Sequence, residues 1–97
     1  MQFIIIAHDY KDGLQRRLAA REKHITLGDT LVAQGKALYG VTLLDENQQM
    51  IGSVYIMDFP SREELDEWLK VESYVVGKVW EKIEITPCKV GPSFVKK

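Results

Sequence analysis

The chain has 97 residues, enough for one small domain with a single core and no separate cofactor domain. Lys and Arg number 13 against 14 Asp and Glu, and the net charge of −1 supplies no electrostatic footprint for nucleic acid or an anionic membrane. The single cysteine, Cys88, excludes an intrachain disulfide framework and a Cys-rich zinc site and fits a reducing compartment.

The opening residues lack the basic start and long apolar region of a signal peptide and are too short to span a bilayer, so a cytoplasmic location is expected. Phe3 to Ala7 is a β-branched run that reads as a buried strand, ending near His8-Asp9 and separated by Asp12-Gly13 from the next segment. From Leu14 to Gln34 the pattern is helical, and Gly35 supplies the stop. Arg17, Arg21, His24 and Gly28 recur at four, three and four residues and share one stripe of that helix. Leu14, Leu18, Ile25, Leu31 and Val32 fall largely on another face. The expectation is that the apolar face builds the domain and the polar stripe is free for chemistry.

Ala37 to Leu44, interrupted by Gly40, and Met50 to Phe59 read as a hairpin around the polar turn Asp45-Glu-Asn-Gln48. Ser61-Arg-Glu-Glu64 has the form of a capping box and opens a second helix with Leu65, Trp68 and Leu69 inward, ending near Lys70. Glu72 to Gly77 reads as a connector, Val79 to Thr86 as a half-buried strand before Pro87, and Gly91-Pro92 as the start of an irregular tail. The whole chain, 1–97, is taken as one domain. The order strand, helix, strand, strand, helix, strand predicts an α+β, ferredoxin-like βαββαβ antiparallel sheet with two helices on one face. In the third strand Met50, Val54 and Ile56 alternate with Ile51, Tyr55, Met57 and Phe59, so both sheet faces are apolar while two helices cover one. Alternation does not say which set faces which. A second copy packing sheet to sheet would bury the remainder, and a homodimer is expected.

His24 is a titratable base on a helix beside guanidinium groups, a pairing suited to binding or proton transfer to a small anion. Arg21 or Arg17 would hold a carboxylate, Gly28 would leave space one turn beyond His24, and Tyr74 is either a packed aromatic or a cleft-lining donor. His8, Asp9 and His24 have no zinc-ligand spacing, and neither a phosphate loop nor a dinucleotide fingerprint is present, so neither metal nor organic cofactor is expected.

In order and spacing, the opening strand, Arg17, Arg21-Glu-Lys-His24, Gly40, Gly52, Ser61-x-x-Glu64-x-x-x-Trp68 and Tyr74-Val-x-x-Gly77 resemble the YciI-like (YCII-related) family. That resemblance implies a dimeric ferredoxin-like α+β barrel with a cleft in each subunit and a histidine–acid pair at its centre. Some of its relatives are linked to dehydrochlorination and many have no established activity. The family's Asp-Pro-Tyr stands here as Glu72-Ser73-Tyr74, which keeps a carboxylate, lengthens its arm by a methylene and removes the proline restriction. The sequence reading is therefore a small enzyme in which His24 serves as general acid or base with Glu72 orienting it and Asp9 and Asp29 as the next candidates for that acid, on an organic acid held at Arg21, in a lyase- or isomerase-type proton transfer. Its alternative is a noncatalytic dimeric module that binds a metabolite or a partner protein.

Overall fold

The computed structural model describes residues 1–94; the last three residues of the assigned domain lie outside the described residues. β1 (Gln2–Asp9), α1 (Leu14–Ala33), β2 (Ala37–Leu44), β3 (Met50–Asp58), α2 (Arg62–Val71), α3 (Ser73–Val76) and β4 (Trp80–Cys88) follow in order, with a 3₁₀ turn at Pro92–Phe94. The sheet is antiparallel with strand order β2-β3-β1-β4, the ferredoxin-like arrangement. Pro87 sits within β4, which is an edge strand, where a missing N–H costs no ladder bond on the open side.

Period-two alternation sets the core. Phe3, Ile5 and Ala7 are buried, and they register with Met57, Tyr55 and Ser53 of β3 and with Pro87, Ile85 and Ile83 of β4. Leu65 and Trp68 of α2, Phe59, Tyr74, Val79, Trp80 and Leu31 close over that face. The third-strand residues that face the helices are thus Tyr55 and Met57, and Val54 and Ile56 belong to the opposite, partly exposed side with Ile4 and Ile6.

Three local details depart from the sequence reading. The Ser61 hydroxyl accepts from the Glu64 N–H at 3.2 Å, but the Glu64 carboxylate pairs with Lys36 at 2.8 Å, so only half of the capping box closes. The stretch after Glu72 is a one-turn helix, not a plain connector, because the Glu72 carboxylate accepts from the Tyr74 N–H and caps it. The largest departure is α1. Its polar residue Arg17 is 2% exposed, whereas Leu18, Ile25 and Val32 are 48%, 41% and 61% exposed. The inward stripe runs Arg17, Ala20, His24, Leu27, Leu31, and its polar members are the ones that anchor the helix to the sheet. The face that builds the domain and the face that carries candidate chemistry are one face. Gly35, at φ +74°, then ends the helix in the left-handed region that glycine enters freely.

Candidate active site

The inward stripe of α1 lies against two polar anchors. At the end of β1, Asp9 receives Arg17 Nη1 on both carboxylate oxygens, at 3.0 and 2.9 Å, and Arg17 Nη2 donates to the Ser53 hydroxyl of β3 at 2.8 Å. This pair is almost wholly shielded, with side chains 2% and 5% exposed. Burial pushes the Asp9 carboxyl up from its ordinary range while the Arg17 charge and hydrogen bonds pull it back.

Two turns on, His24 is held at both ring nitrogens. Nδ1 lies 2.5 Å from Glu72 Oε1, and Nε2 lies 2.8 Å from the Tyr55 hydroxyl. A carboxylate only accepts, so Nδ1 carries the hydrogen, and in the neutral ring Nε2 accepts from Tyr55. Glu72 is itself 1% exposed and is aimed by the turn that joins α2 to α3. The Tyr74 ring stacks on the imidazole at 3.9 Å and 9° between planes, and Arg17 Cζ stands over the same tyrosine at 4.8 Å. Residues 17 and 24 are seven apart on α1, about 10.5 Å along its axis, and the tyrosine ring fills that gap. Trp80 meets the imidazole edge-on at 6.4 Å. The ring thus has both nitrogens and one face fixed, the preorganisation that an acid–base group requires.

A cleft of about 240 Å³ opens beside it between α1 and the β2–β3 hairpin, lined by Arg17, Arg21, His24, Tyr55 and Tyr74 with Gly40, Thr42 and Met50 on the sheet side. Arg21 is exposed at this cleft and its guanidinium has no hydrogen-bond or ion-pair partner among the described residues. Burial pushes the Tyr55 hydroxyl up to about 12 and the Tyr74 hydroxyl upward as well, so both stay neutral donors near neutral pH.

Of the residues singled out in the sequence, His24, Glu72, Tyr74, Arg21 and Arg17 converge here. Arg17 lines the cleft, but its terminal nitrogens are committed to Asp9 and Ser53. Gly28 stands apart, in an adjoining hollow of about 310 Å³ that shares His24, Gly40 and Tyr55 with the cleft. Apart from its chain neighbours and the nearby backbone of its own helix, no atom among the described residues lies within 4 Å of where its Cβ would stand, so close packing by another backbone does not account for the glycine. Asp29 lines that hollow, and Asp9 is taken by Arg17, which leaves Glu72 as the carboxylate on His24. Tyr55 and Ser53 were not among the sequence candidates for the site. Tyr55 sits in an alternating apolar strand, where an aromatic residue reads as core. The available signal was Gly40, since glycine inside a strand marks a close approach, and Tyr55 is what approaches.

The YCII-related domain profile matches residues 1–89. The chain belongs to that family. Among its YCII-related relatives, Protein YciI of Escherichia coli O6:H1 is 30% identical over 95 residues, covering 92% of this chain and 97% of its own length. An uncharacterized Haemophilus influenzae protein is 28% identical over the same shares. Among solved structures, the 5-chloro-2-hydroxyhydroquinone dehydrochlorinase TftG of Burkholderia phenoliruptrix AC1100, in complex with 2,5-dihydroxybenzoquinone, superposes with a TM-score of 0.84 at 22% identity over 96% of this chain and 98% of its own. An antibiotic biosynthesis monooxygenase gives 0.53 at 13% identity over 94% and 98%. At those identities both structures bear on the fold of this YCII-related domain, which they share.

Proposed function

We propose that this protein is a small acid–base enzyme that binds an organic anion at Arg21 and moves a proton on it through the Glu72–His24 pair. The observation that carries the reading is the imidazole fixed between buried Glu72 and Tyr55, beside an unpaired arginine, in a cleft of about 240 Å³. An unpaired guanidinium offers a bidentate contact to a carboxylate or enolate, and a cleft this size suits a ligand well below drug size. Loss of HCl, the reaction named for TftG, is a lyase-type step that such a base can begin.

Arg17 enters the reading as the support of Tyr74, not as an anion contact, because its terminal nitrogens are committed. Gly28 borders the neighbouring hollow and gives a longer ligand room beyond Tyr55. The same reading includes a homodimer formed on the uncovered sheet face and, from the lone Cys88, a cytoplasmic setting. Among the described residues, no helix is long and apolar enough to cross a membrane. One observation favours the alternative of a noncatalytic binding module: both imidazole nitrogens already have protein partners.

Thermal shift decides the first step. Small mono- and dicarboxylates and 2,5-dihydroxybenzoquinone are screened against wild type and Arg21→Ala. A ligand at a hundred times its Kd stabilises the fold by about 2.7 kcal/mol, a shift of roughly 10–20 °C in a domain of this size. Stabilisation in wild type that Arg21→Ala loses supports the anion site; equal shifts in both, or none in either, overturn it.

A further inference from the structure

The occupancy of His24 raises a question that the anion site does not answer. With Nδ1 on Glu72 and Nε2 on the Tyr55 hydroxyl, the neutral ring offers no free nitrogen to a molecule in the cleft. Tyr55, in contrast, lines both the cleft and the adjoining hollow. Building on the acid–base reading, we propose that Tyr55 is a catalytic residue, the port through which a bound ligand exchanges its proton with His24, and that Gly40 is the positioning residue that makes the port.

The proton accounting closes without an ionised tyrosine. The acidic hydrogen of the ligand passes to the Tyr55 oxygen as the hydroxyl's own hydrogen passes to His24 Nε2. One bond to hydrogen breaks at the ligand and one at Tyr55, one forms at Tyr55 and one at Nε2, and the electron pair stays with the ligand. The imidazolium so formed is balanced by the Glu72 carboxylate on Nδ1. A free tyrosinate is not on this route, which fits a hydroxyl that burial has pushed up to about 12 and whose own ionisation would be rare at neutral pH.

Gly40 registers opposite Tyr55 across the β2–β3 ladder. A Cβ at position 40 would stand 2.9 Å from both Cδ1 and Cε1 of the Tyr55 ring, closer than such atoms approach, so any side chain there displaces the ring. The missing side chain lets the ring lie against β2 with its hydroxyl on Nε2.

The test uses 4-nitrophenol, an acid whose anion absorbs visible light and whose neutral form does not, in a buffer on the acid side of its own ionisation. Wild type is expected to bind the dye as the anion and, in ¹⁵N NMR, to show the His24 ring gaining its second proton. Tyr55→Phe keeps the ring and its packing, and is expected to lose the visible band of the bound dye. A merely structural tyrosine would change melting temperature and leave the band in place. Gly40→Ala is expected to lose the band as Tyr55→Phe does, and a band kept in Gly40→Ala removes Gly40 from the port. Dye still ionised in Tyr55→Phe, or ionised in wild type with His24 unchanged, overturns the proposal. A wild type that leaves the dye neutral or unbound also overturns it, and does so without touching the anion site, which the carboxylates and Arg21→Ala test separately. Should Tyr55→Phe fail to fold, Gly40→Ala, which keeps the tyrosine and displaces its ring, decides in its place: a lost band supports the port and a kept band overturns it.

Discussion

Glu72 does two jobs with one oxygen, accepting from His24 Nδ1 and from the Tyr74 N–H that opens α3. Glu72→Gln keeps an acceptor for the backbone and loses the anionic one for the imidazole; Glu72→Ala loses both. Alanine is therefore expected to destabilise the fold by about 2–3 kcal/mol in urea unfolding, with glutamine costing less than half of that. Equal losses would mean that the cap contributes nothing. Tyr55 gives a residue-level test in pH. Its folded hydroxyl holds a proton up to about 12, whereas an unfolded tyrosine releases it near the ordinary value of 10.0. As pH rises through that window the unfolded state binds fewer protons, so stability falls, by about 3 kcal/mol when the window is crossed. The raised Tyr74 hydroxyl adds loss of the same sign. Tyr55→Phe is expected to flatten this alkaline decline, measured by unfolding on either side of the window.

At the scale of elements, β1 and the β2–β3 hairpin were legible because alternation and turn residues mark strands directly, and α2 because Ser61 caps it and Leu65 and Trp68 face inward. α1 was legible as a helix but not in its orientation. Periodicity reports which face is apolar, and in α1 the inward stripe includes Arg17 and His24, satisfied by partners on β1, β3 and the α2–α3 turn that no local pattern reveals. The site was readable to a similar depth. His24, Arg21 and Glu72 stand out by chemistry and by family resemblance, whereas Tyr55 acquires its role only through register with Gly40 and reach to α1. The orientation itself is testable: Leu31→Ala, on the inward side, is expected to cost about 2–5 kcal/mol and Leu18→Gln, on the outward side, within about 0.5 kcal/mol, both read from urea midpoints. A large loss at Leu18 would mean that a partner covers that side of α1.

For the molecule as a whole, the uncovered sheet face presents Ile4, Ile6, Val54 and Ile56 in register, with Val41 beside Val54 and 56% exposed. If this face is the dimer interface, Ile56→Lys is expected to yield a folded monomer in sedimentation velocity, where wild type runs as a dimer at micromolar concentration. A wild-type monomer refutes the assembly. The buried Arg17–Asp9 pair leads further. Removing Arg17 alone strands a carboxylate inside and is expected to cost about 3–5 kcal/mol, yet replacing a buried pair by apolar side chains of similar volume is often neutral or stabilising by about 1–4 kcal/mol. Met at 17 with Leu at 9 is thus expected to cost less than removing Arg17 alone, the remaining loss coming from the buried Ser53 hydroxyl left without its partner, while Tyr74 loses the cation beside its ring. Folding and chemistry draw on the same interior volume, and they favour different residues there. A chain shaped only for persistence at higher temperature would be free to give up these charges, and the cation beside Tyr74 with them.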